Sequence, residues 1–140
     1  MSTETRERIL SSLKDAQAIH GHITPDIIAG VGQRVGATVG DVYGVATFYS
    51  FLSVKPLGEH VIMICQSIPC WMKNSDVVIK TIERELNCKV GETTKDGKFS
   101  LLPVNCIGAC DRAPAMMVDG EVYGDLTPER VLEILSQLER

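Results

Sequence analysis

A chain of 140 residues with net charge −4 and no run of Lys or Arg does not suit nucleic acid, whose binding rests on clustered cations. An apolar share of 44% with 23% charged residues supports a real core and excludes disorder beyond the first few positions. The polar start Met1–Arg8 lacks a signal-peptide core, and the apolar stretch Val42–Val54 is interrupted by Gly44, Thr47, Ser50 and Ser53 and too short to span a bilayer. The expectation is a cytoplasmic protein with no membrane insertion.

The first third reads as helices, forming an N-terminal helical segment over residues 1–56. Ile9, Leu13 and Ala16 recur at helical spacing, with Ala18 and Ile19 behind them, and Gly21 stops the run. Thr24-Pro25 starts a second helix, a hydroxyl N-cap followed by proline, carrying Ile27, Ile28 and Val31 to an end at Gly36. Thr38-Val39-Gly40-Asp41 has the form of a capping box. It opens a third helix with Val42, Val45, Ala46, Tyr49 and Phe51 toward a core. Pro56-Leu57-Gly58 marks the boundary.

Residues 57–140 alternate. Val61–Ile64 is a continuous apolar run, expected of a strand buried on both faces. Val78, Ile79, Ile82 and Leu86 make one face of a helix over about Ser75–Asn87. Asp96-Gly97 turns into a strand Phe99–Val104, and Asp119-Gly120 joins Ala115–Val118 to Glu121–Tyr123 as a hairpin. Thr127-Pro128-Glu129 caps a last helix with Val131, Leu132, Leu135 and Leu138 facing inward. The fold class is α/β. Strand, helix, strand, hairpin, helix is the order of a thioredoxin-like core, with a right-handed crossover.

A reducing compartment disfavours structural disulfides, so five cysteines point to metal or redox chemistry. Four stand in two close pairs, Cys65 with Cys70 and Cys106 with Cys110, each following a predicted strand. If those strands are parallel neighbours, both pairs meet at one sheet edge. Four thiolates repel one another and need a metal. A [2Fe–2S] cluster takes two cysteines on each iron and suits two pairs. Gly108 can adopt positive φ between the second pair, Pro69 and Pro114 stiffen the loops, and Trp71 and Met72 are placed to shield the cluster.

Competing readings remain at this point. Structural zinc also takes four thiolates, although spacings of four and three residues fit it less well than CxxC pairs. A zinc-stabilised thioredoxin-like adaptor is therefore the alternative. A catalytic disulfide is disfavoured, since neither pair has the two-residue gap. His20, His22 and His60 lie far from either pair in sequence and read as surface residues, against a Rieske centre. Cys88 reads as packing. Gly30-Val31-Gly32-Gln33-Arg34-Val35-Gly36 imitates a dinucleotide fingerprint, but no strand precedes it. Helix packing and a helix end explain it better.

With both pairs in hand, the chain closely resembles the thioredoxin-like [2Fe–2S] subunit family of NADH:quinone oxidoreductases, shared with NAD(P)-linked hydrogenases and formate dehydrogenases. The resemblance runs from about Ala16 to Leu138. It is carried by His22–Pro25, Asp41–Tyr49, Pro69-Cys70-Trp71, Gly91–Thr94, Cys106–Cys110 and Asp125–Pro128. It implies one [2Fe–2S] cluster on Cys65, Cys70, Cys106 and Cys110, and a role in electron transfer. It also implies a partner flavoprotein subunit binding FMN, NAD(P)H and a [4Fe–4S] cluster, onto which the helical segment docks, with further iron–sulfur or hydrogenase subunits. By that reading the chain belongs to an oxidoreductase complex but has no dehydrogenase activity alone. Phe48-Tyr49-Ser50-Phe51 and the short chain incline the reading toward a soluble, bifurcating hydrogenase-type complex over the respiratory one.

Overall fold

A computed structural model describes residues 1–140, which divide into two compact units, Met1–Leu57 and Gly58–Arg140. No helix is long and apolar enough to cross a membrane.

The first unit packs three helices, α1 (Thr3–His20), α2 (Pro25–Val35) and α3 (Val39–Phe48). Their starts are chemically fixed. Ser2, Thr24 and Thr38 each accept a backbone N–H through the side chain, and Asp41 returns the bond to Thr38 to complete the capping box. Ile9, Leu13, Ile23, Ile28, Val31, Val42, Val45, Ala46 and Leu52 form the core. The glycine-rich stretch is a helix end. Gly36 caps α2 with φ +71°, and a Cβ on Gly32 would lie 2.9 Å from the Ala37 carbonyl oxygen.

Two expectations for this unit are corrected. Ile19 is 77% exposed, because α1 turns its last turn away from the core. Phe51 is also exposed and Tyr49 only half-buried, because α3 stops at Phe48 and helical spacing no longer sets direction beyond it. Leu52 fills the inward position instead. Gln17 holds that segment, donating to the Phe51 carbonyl (2.7 Å) and accepting from the Ser53 N–H (2.7 Å).

The second unit is a four-stranded sheet ordered β2-β1-β3-β4, with β1 (His60–Cys65), β2 (Phe99–Val104), β3 (Met116–Val118) and β4 (Glu121–Tyr123). β1 and β2 are parallel, in register from His60 with Phe99 to Cys65 with Val104. β3 and β4 are antiparallel to their neighbours. Three helices complete the unit: α4 (Ile68–Met72), α5 (Ser75–Leu86) and α6 (Pro128–Leu138). Ile62, Ile64, Phe99, Leu101, Met116 and Val118 pack with Val78 and Ile82 of α5 and Val131, Ile134 and Leu135 of α6.

β1 is not buried on both faces as the apolar run predicts. Ile62 and Ile64 are buried, while the alternate residues Val61 and Met63 are half-buried, because α5 and α6 pack on the Ile62 side. On α6, Leu132 is exposed and Ile134 takes the inward place, the spacing that accompanies Val131 and Leu135. Cys88 is buried in this core. His60 is more than a surface residue. Its Nδ1 lies 2.6 Å from Asp119 Oδ2, its ring lies against Phe99, and Asp119 also accepts the Val61 N–H (2.8 Å). These bonds tie the start of β1 to the Asp119-Gly120 turn.

The approach to β2 is pinned by Glu83, which accepts the Val90 N–H (3.1 Å) and meets Lys89 Nζ (3.3 Å). The Val90 bond, helped by Lys89, holds its carboxyl below the usual glutamate range. A depressed acid stabilises the fold above its unfolded pKa of about 4.3, and that contribution is lost as pH falls through the folded value. Glu83→Gln should therefore cost about 1 kcal/mol at neutral pH and flatten stability against pH below about 4.3, measured by urea melts.

Candidate metal centre

The parallel register brings both cysteine pairs to one end of the sheet. Cys65 is the last residue of β1 and faces Val104, the last of β2. The Gln66 N–H donates to the Val104 carbonyl (2.9 Å), so the ladder runs one bond past the strands before the chains part. Cys106 follows two residues after Val104. Cys65 Sγ lies 3.5 Å from the Asn105 carbonyl oxygen, which puts the first pair against the root of the second loop.

α4 orients the first pair. Pro69 stands in its first turn, and its single turn and a half points Cys70 inward. Cys65 and Cys70 are each 1% exposed. Ser67 occupies the N-cap position but makes no side-chain cap, and its hydroxyl lies 3.0 Å from Cys65 Sγ instead. Sequence reasoning missed Ser67. A hydroxyl two residues after a ligand candidate, just ahead of a helix-starting proline, is the signal that could have found it.

The second pair sits in an open loop. Cys106 and Cys110 are exposed, with their sulfurs 3.7 Å apart. Gly108 has φ +78°, as the loop requires, and its N–H donates to Cys106 Sγ (3.3 Å). A 3₁₀ turn over Cys110–Arg112 closes with the Arg112 N–H donating to the Ala109 carbonyl (3.0 Å).

The Cys65 sulfur reaches the backbone of the second loop at Asn105, and the surroundings shift the thiols in opposite directions. Burial opposes ionising Cys65, but Ser67, the Cys70 thiol and the Ile107 backbone outweigh it and hold that thiol below the usual range. Burial and the neighbouring Cys65 push Cys70 up, and Cys106 pushes Cys110 up. Without a metal, only part of this set can ionise together.

The donor set suits a two-iron cluster: four free thiols in two pairs, with the Gly108 N–H aimed at sulfur. The thiols stand as two pairs, and no three His, Cys, Asp or Glu side chains converge on a single ion position. Two placements differ from expectation. Trp71 and Met72 are 67% and 71% exposed with Ile68 at 71%, because α4 turns them outward when it turns Cys70 in. His60 lies at the opposite end of β1 from Cys65 and takes no part.

A family model described as thioredoxin-like [2Fe–2S] ferredoxin matches residues 1–139. The chain is 39% identical over 132 residues to a subunit of the NADH-quinone oxidoreductase of Pseudomonas aeruginosa, covering 94% of this chain and 80% of that protein. It is 38% identical over 134 residues to the corresponding NADH-quinone oxidoreductase subunit of Escherichia coli K12, covering 96% and 81%. Among solved structures, an air-oxidized NAD+-reducing [NiFe]-hydrogenase superposes with TM-score 0.82 at 19% identity. That match covers 99% of this chain and 24% of the other, so this chain spans about a quarter of its length.

In the metal-free chain, the exposure difference sets thiol reactivity. Cys106 and Cys110 should be alkylated by iodoacetamide at least roughly tenfold faster than Cys65, Cys70 and Cys88, which wait for local opening. Peptide mass spectrometry over time reads the order, and uniform labelling would contradict this burial.

Proposed function

Because the chain belongs to the thioredoxin-like [2Fe–2S] ferredoxin family, we propose that it is the electron-transfer subunit of an NAD(P)H-linked oxidoreductase complex. One [2Fe–2S] cluster is held by Cys65, Cys70, Cys106 and Cys110. The observation that carries this reading is the parallel pairing of β1 with β2, which ends both strands at one edge and gathers both thiol pairs there. When bound, such a cluster accepts and releases electrons one at a time.

The chain's own residues supply the rest. Buried Cys65 and Cys70 anchor the inner side and exclude water from it. Ser67 and the Gly108 N–H donate to ligand sulfur, stabilising negative charge there. Cys106 and Cys110 make the outer side the short path to a partner. Ile68, Trp71 and Met72 give that end an exposed apolar rim for the partner to cover.

The partner is a flavoprotein subunit that binds FMN, NAD(P)H and a [4Fe–4S] cluster, beside further iron–sulfur or hydrogenase subunits. On this chain the glycines that imitate a nucleotide fingerprint lie within α2 and at its C-cap, with no strand before them, and dehydrogenase activity is assigned to the partner. In the first unit, Val39, Tyr43 and Phe48 of α3 are exposed and furnish a second contact. Relatives in NADH-quinone oxidoreductases and the hydrogenase-like fold support such a complex. Free thiols suit the reducing cytoplasm.

Anaerobically purified protein should be red-brown with two irons per chain, bleach on one-electron reduction and then give a low-temperature paramagnetic resonance signal. Cys→Ser at 65, 70, 106 or 110 should lower or change that signal, while Cys88→Ser leaves it intact. Colourless protein with one zinc would overturn the reading. Ser67→Ala should make the midpoint potential more negative, because reduction loses a donor to sulfur.

A further inference from the structure

We propose that Gly124–Leu126, the segment leaving β4, is a positioning element for the cluster that acts through the backbone of Arg112; this rests on the [2Fe–2S] reading above. Gly124 is buried and its φ is not among the chain's positive values, so backbone freedom does not explain a glycine there. Close approach does. A Cβ on Gly124 would lie 2.5 Å from Arg112 Cβ and 2.8 Å from the Arg112 carbonyl oxygen.

The two residues that follow complete a clamp. The Asp125 N–H donates to the Arg112 carbonyl (2.6 Å), and the Leu126 N–H donates to the Pro114 carbonyl (3.1 Å). Leu126 is itself buried in the core beside α6, so the clamp is anchored. The clamped stretch closes the 3₁₀ turn that carries Cys110, through the Arg112 N–H to Ala109. One segment therefore fixes a thiol of the outer pair. The ion pair between Arg112 Nε and Asp125 Oδ2 (3.6 Å) is exposed and adds little. Contact and backbone bonds carry the positioning.

Displacing Arg112 moves Cys110, which alters sulfur geometry at the site, a determinant of cluster electronics and retention. The test uses the full chain loaded with iron and sulfide under anaerobic conditions. Gly124→Ala should shift the resonance g-values and the midpoint potential and speed cluster loss to a chelator roughly tenfold. Gly120→Ala is the control. It strains the neighbouring turn (φ +91°), yet its Cβ meets nothing within 4 Å, so it should lower the melting temperature and leave the cluster's signature unchanged.

Should Gly124→Ala fail to fold, Arg112→Gly against Arg112→Ala decides. Removing Cβ should perturb the signature, and removing only the guanidinium and its stem should not. The proposal is overturned if Gly124→Ala matches Gly120→Ala, stability lowered but g-values and potential as in the wild type. It is equally overturned if Arg112→Gly and Arg112→Ala are indistinguishable. A wild-type chain that never shows a [2Fe–2S] spectrum is a different failure, that of the cluster reading itself.

Discussion

The site depends on the parallel hydrogen-bonded pairing of β1 with β2 and on where that pairing stops. Six residues of each strand run side by side, from His60 with Phe99 to Cys65 with Val104. The two loops that leave the ladder are therefore neighbours, with Cys65 at the last position of β1 and Cys106 two residues beyond β2. Parallel strands require a crossover between them, which here runs through α4 and α5. α4 contributes Cys70, and α5 covers the sheet's Ile62 side through Val78 and Ile82. The same connection thus builds half of the thiol set and much of the core.

Much of this was legible in the residues. Helix starts were clear because caps are local chemistry: Thr24-Pro25, Thr38 with Asp41 and Thr127-Pro128 each specify a start within four residues. The two thiol pairs were legible because their chemistry is rare and topology alone relates them. Burial beyond helix ends was not. Periodicity gave Tyr49 and Phe51 an inward direction that holds only while the helix continues, and α3 stops at Phe48. Leu132 looked inward because hydrophobicity does not distinguish it from Ile134, whereas packing geometry does. The both-faces reading of Val61–Ile64 failed for a similar reason, since an apolar run does not reveal which side the helices take. α4 was too short to show a period at all.

The remaining site features are backbone features. Gly108 contributes an N–H group and Asn105 a carbonyl, which their side chains do not announce, so side-chain chemistry could not single them out. Only Gly108 was visible beforehand, through the φ it had to adopt. Gly124 belongs with these, as a residue selected by what must pass close to it. The two halves of the thiol set also differ in surroundings. Cys65 and Cys70 are enclosed by α4 and the strand ends, while Cys106 and Cys110 face outward.

The shared strand terminus also determines where the gene can change length. Along a β-strand, one added residue reverses the direction of every later side chain. An insertion within Phe99–Val104 or at Asn105 would rotate Cys106 away from Cys65 while leaving composition almost unchanged. The turn at Thr94–Gly97 lies before β2 begins, and extra residues there cost turn bonds such as the Gly97 N–H to the Thr94 carbonyl (2.9 Å) but leave the direction of Cys106 unchanged. Length variation among natural versions of this chain is thus expected upstream of β2 and excluded between it and its first thiol.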